Sequence, residues 1–118
     1  MTDYELTAWL GPAADELNAE QMERLTEQDQ RIQEQYPDPD EQPERDAALS
    51  AVVQYLLGEV TAADVQRDLL VARQRERDAY VAALTVAVMM VGDRTPKATA
   101  ARECGIDRMS LLAALGER

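Results

Sequence analysis

The chain has 118 residues, enough for one domain or a small domain with an appended arm, and too few for two enzymes' worth of sites. It has no His and one Cys, which removes Ser-His and Cys-His nucleophile pairs and leaves no four-ligand set for a structural zinc. The net charge of -11 originates in residues 1–47, with fourteen Asp or Glu against three Arg, whereas residues 48–118 hold nine acids and nine bases.

The first ten residues are acidic and lack a basic stretch followed by an apolar one, so no signal peptide is expected. Residues 3–10 predict a short helix anchored by Leu6, Trp9 and Leu10 and stopped at Gly11-Pro12, with Trp9 docked on the main body. Pro12 suits a first helical position, and a long helix is expected from there to about Gln35. Its apolar stripe is thin: Ala14, Leu17, Met22, Leu25, Ile32 and Tyr36, with Asp29 where heptad spacing calls for a hydrophobe. A stripe that narrow lies on another helix or pairs in a coiled coil rather than entering a core. Three prolines between 37 and 43 then push their predecessors into extended backbone, so residues 36–43 read as a linker. Its acids, Asp38, Asp40 and Glu41, lack the sixth-position Gly and twelfth-position acid of a calcium loop and read as solvated.

Pro43 or Glu44 begins the next predicted helix, with Ala48, Val52, Tyr55 and Leu56 on one face and Gly58 just past its end. Thr61 and Asp64 form a capping pair, and Val65 can staple against Val60, so another helix starts at Ala62. Val65, Leu69 and Ala72 open it; residues 73–78 are polar all round; Ala79 to Val91 is apolar except at Thr85, and too short to span a bilayer. With no Gly or Pro before Gly92, one helix of about 30 residues, near 45 Å, is expected. The alternative is a break near Arg77 followed by a buried strand, suggested by five β-branched residues in the last thirteen.

The stretch Thr95 to Gly116 reads as two short helices joined by a tight turn. Thr95 is placed to cap the first, with Pro96 at its first position; Gly105 interrupts it, because only Gly turns there without a Cβ penalty. Asp107 is placed to cap the second, Arg108 to Leu115. A small residue four before a turn Gly, an aliphatic after it and aliphatics within the second helix are supplied by Ala101, Gly105, Ile106, Leu111 and Leu115. On these residues the stretch resembles the helix-turn-helix of bacterial DNA-binding proteins. The resemblance covers about a fifth of the chain, and Ala79 to Val91 would be the third helix of the unit.

The resemblance implies double-stranded DNA as partner and Arg108 to Leu115 as recognition helix. Arg108, Met109 and Ser110 would face bases from its first turn, with Leu112 and Ala113 one turn on, and Arg108 can take a guanine bidentately. Arg94, Lys97, Thr99 and Arg102 would hold phosphates. From Arg94 onward five bases, Arg118 included, meet three acids, a mildly positive end for an acidic chain. Met109 and Leu112 stand where polar readers are usual, so a second class stays open: an acidic helical protein-interaction module, such as an adaptor, anti-repressor or DNA mimic, that contacts a partner through Met109 and Leu112 or through the N-terminal arm. No catalytic group, metal or cofactor is expected, since the carboxylates sit on faces that read as solvated. The expected molecule is therefore all-α and cytoplasmic, with an acidic helical arm and linker (1–42), a connecting region (43–78) and a helix-turn-helix (79–118). The stripes at 14–36 and 65–72 suggest a homodimer.

Overall fold

The computed structural model describes residues 1–117. Six α-helices follow one another: α1 Asp3–Leu10, α2 Ala19–Gln35, α3 Gln42–Leu56, α4 Ala62–Gly92, α5 Lys97–Cys104 and α6 Arg108–Ala114, with short 3-10 helices at Gly11–Glu16 and Pro39–Glu41. The fold is all-α, with no strand among the described residues. No helix among them is long and apolar enough to cross a membrane. The chain divides into two compact units, Met1–Val65 and the residues from Gln66 onward. The divisions expected after residues 42 and 78 fall inside these units.

In the first unit every helix start is made by a reciprocal side-chain cap or a proline. Thr2 and Glu5 exchange hydrogen bonds with each other's backbone N–H at the head of α1. The helix expected to run from Pro12 to Gln35 is instead two elements. Leu17 takes an extended conformation and is buried, and Asn18 starts α2 through a capping box with Gln21, both bonds being 2.8 Å. An Asn side chain bonds nearby backbone N–H groups better from the cap than from a helix interior, so the break falls there.

Leu25, Asp29 and Ile32 of α2 turn inward at the spacing of one helical face, and with Leu6, Leu10, Leu17, Leu49 and Val53 they close the core. The α2 stripe therefore packs against α3 inside this unit and is not free for a coiled coil. Asp29, in the hydrophobe position, is 3% exposed, and its carboxylate accepts from the Met1 ammonium at 2.9 Å and from Gln33 Nε2 at 3.3 Å. A buried carboxylate is tolerated only with such partners.

Residues 36–41 form a packed corner. The buried Arg45 guanidinium donates to the Tyr36 carbonyl and, at 2.7 Å, to that of Asp38, while Gln42 Oε1 accepts from its other edge. One cation thus ties together the Tyr36 and Asp38 carbonyls, the latter also accepting from Glu41 N–H at 3.0 Å. On α3 the inward residues are Arg45, Leu49 and Val53; Tyr55 points out and Trp9 is 37% exposed, lining a shallow hollow with Ser50 and Gln54.

α4 is one unbroken helix of 31 residues, about 46 Å long. Thr61 and Asp64 cap it reciprocally, at 2.9 and 3.2 Å. Residues 66–82 are exposed, the apolar Leu69, Leu70, Val71, Tyr80 and Val81 among them. Near its end Ala87 is fully buried in a second core with Ala100, Ala101, Ile106 and Leu111, flanked by Leu84, Val88, Met90 and Leu115. Cys104 is half-buried there, its Sγ 3.6 Å from Met90 Sδ, as a small apolar residue behind the turn would be.

Candidate nucleic-acid interface

The candidate surface is carried by α5, α6 and the turns around them. α4 ends in a Schellman motif: Thr95 N–H donates to the Met90 carbonyl at 2.9 Å and Arg94 N–H to that of Val91 at 3.0 Å. Arg94 sits at the left-handed position with φ 73°, the only non-Gly residue with positive φ among those described. An L side chain there costs about 1–2 kcal/mol relative to the right-handed region. Thr95 belongs to this closure and makes no side-chain cap on α5, whose start follows Pro96 without one. The N-cap is therefore Pro96, one residue beyond the expected Thr95, and its side chain has no acceptor to offer.

The second turn repeats the motif with Gly105 at φ 70°. Ile106 N–H donates to the Ala101 carbonyl at 2.8 Å, and both side chains are buried, which supplies the apolar contact that usually accompanies this closure. Asp107 caps α6, its carboxylate accepting from Ser110 N–H at 3.1 Å. Leu111 is wholly buried, so α6 is seated by its centre.

Around this frame the eight residues picked from sequence fall into three groups. Arg94, Arg102 and Arg108 are exposed guanidiniums, none in a recorded ion pair among the described residues. Met109 is 63% exposed, and Ala113, one turn on, is exposed as well. Lys97, Thr99 and Ser110 are half-buried and partly committed: Lys97 Nζ pairs with the Glu117 carboxylate, and the Ser110 hydroxyl lies 3.4 Å from Asp107 Oδ2. Glu117 has no place in the sequence reading, since no local pattern links residues twenty positions apart. Arg118 lies outside the described residues.

Drawn at the boundary between the units, the charge asymmetry is sharper than the sequence reading had it. Residues 1–65 hold sixteen acids to three bases, and residues 66–118 hold seven acids to nine bases. The α5–α6 surface belongs to the part of the chain that is mildly positive. Comparison of the chain with protein-family models, curated proteins and solved structures finds no match to any of them.

Proposed function

We propose that the chain is a DNA-binding protein, a small cytoplasmic transcriptional regulator that places α6 in the major groove as the second helix of a helix-turn-helix. The observation carrying this reading is Arg108: an exposed guanidinium without an ion-pair partner among the described residues, at the first turn of a helix capped by Asp107, anchored by the buried Leu111 and preceded by the left-handed Gly105 that closes α5. A rigid fork there matches the O6 and N7 of a guanine. Arg94 and Arg102 would take phosphates directly, and Lys97 after leaving Glu117. Three phosphate contacts per protomer correspond to a slope of roughly -3 in log affinity against log salt.

The exposed apolar residues of α4 support the accompanying proposal of a homodimer, with α4 rather than α2 as its contact. Two α6 helices would then meet a palindromic site at a spacing of about 34 Å. A light-scattering mass equal to one chain at micromolar concentration would remove the dimer.

The decisive experiment is selection from a random duplex pool by the full chain and by Arg108→Ala. The substitution is expected to cost about 1–3 kcal/mol at one base pair and to relax choice there. Unchanged selection would show that α6 is not the reader. A protein-contact role for this surface is favoured by Met109, the most exposed large apolar residue of α6. Failure of both chains to enrich any sequence would leave that reading standing.

A further inference from the structure

The first unit contains a hollow of about 600 Å³, bounded by α2, α3 and the segment from Val60 to Val65. Its walls are aliphatic, with Ala48, Ala51, Val52, Leu56, Val60 and Val65 contributing. Alanines at 48 and 51 leave open what longer side chains would fill, and the volume lies within the roughly 300–1,000 Å³ of small-molecule sites.

Two cations stand at its rim. Arg24 and Arg31 are two turns apart on α2, and both line the hollow. Neither is in a recorded ion pair among the described residues, although the unit has sixteen acids against three bases. Arg24 lies over the Tyr55 ring, 6.0 Å from its centroid. Arg31 is held by neutral carboxamides, donating to Gln28 Oε1 at 2.7 Å and Gln35 Oε1 at 2.6 Å. No carboxylate lies within ion-pair distance of either guanidinium among the described residues, and guanidiniums held by neutral partners beside an apolar wall are suited to an anionic head on an apolar tail.

We propose that this hollow binds a small amphipathic anion, of the class of a medium-chain carboxylate, with its head between Arg24 and Arg31 and its tail against Val52, Leu56 and Val65. A second copy of the chain is the poorer occupant, because its own acidic unit would be brought against this one. A small anion meets less of that repulsion, since screening confines it to about 8–10 Å. This site stands independently of whether α6 binds DNA.

The test is an amide NMR titration of the full chain with decanoate and, separately, with decyltrimethylammonium, which has the same tail and the opposite charge, both below micelle formation. The acidic field of the unit favours the cation everywhere except at this rim, so head-group preference reports the site. Decanoate is expected to give saturable one-to-one shifts on α2 around Arg24 to Arg31 and on α3 around Ala48 to Leu56. The cation should bind there at least about tenfold more weakly. Arg24→Gln with Arg31→Gln should weaken decanoate by about tenfold or more, the usual worth of a charge-assisted pair, and Ala51→Leu should abolish the shifts by filling the hollow. Arg24, Arg31 and Ala51 are all exposed, so these variants keep the core intact; if Ala51→Leu fails to fold, the arginine pair and the cation still decide. The proposal is overturned by equal binding of both amphiphiles, by decanoate binding unchanged in the arginine double variant, or by no saturable shift. Shifts at these residues that follow protein concentration without amphiphile would overturn it in favour of a second copy.

Discussion

The unit Met1–Val65 and the unit from Gln66 onward bury their helices with different side chains. The first is closed by Leu6, Leu25, Ile32 and Leu49, all essentially without solvent contact, and the second by Ala87, Ala100 and Ala101 around Ile106 and Leu111. Large aliphatics bury much area per residue and hold helices apart at ordinary packing distance. Alanines bury little area each, so the second core depends on Ile106 and Leu111 for most of its apolar volume. The difference recurs in the charge, with an acidic first unit and a mildly positive second. It suggests a division of labour: the leucine-cored unit carries most of the stability, and the alanine-cored unit presents a surface.

That comparison is most severely tested by Leu25→Ala, which empties a fully buried position. A loss of about 3–4 kcal/mol in unfolding free energy is expected from chemical denaturation; a loss under about 1 kcal/mol would mean that leucines do not hold this unit. The opposite change tests the other core. Ala101→Leu should overpack the crossing of α5 and cost about 2 kcal/mol. Its signature is local: amide hydrogen exchange should quicken in α5 and α6 and stay unchanged in α2 and α3. Equal acceleration in both units would end the distinction. The smallest effect is expected at Arg94, whose left-handed backbone favours Gly. Arg94→Gly should stabilise the chain by about 0.5–1 kcal/mol. If Arg94 holds a phosphate, the same change should weaken DNA binding and make the salt slope shallower by about 1. A gain in stability with DNA binding untouched would assign Arg94 to the turn alone.

Local signals were readable wherever one or two turns of backbone decide the outcome. Thr61 with Asp64, Gly58, Gly105 and Asp107 stand where sterics and a single side-chain hydrogen bond place them, and α4 is continuous because nothing in it breaks a helix. The Asn18 and Gln21 box is equally local, yet it was masked by Pro12, which signals a helix start seven residues before Ala19. On the candidate surface, the cap on α6 and the buried Leu111 were legible, while the engagement of Lys97 and Ser110 was not. Packing decided the remainder. Asp29 is an acceptable core residue because Gln33, one turn on, and the Met1 ammonium, twenty-eight positions away, both reach it. The proline-rich stretch from 36 makes a corner instead of a loose linker because Arg45 returns to the carbonyls of Tyr36 and Asp38. Tyr55 faces outward because Leu49 and Val53 fill the core side of α3, and that outward turn lets Arg24 lie over its ring. A residue's helical tendency and capping chemistry act within a few residues, and sequence order contains them. Whether a charge can be buried, or a hydrophobe left bare, depends on partners that only the folded chain brings near.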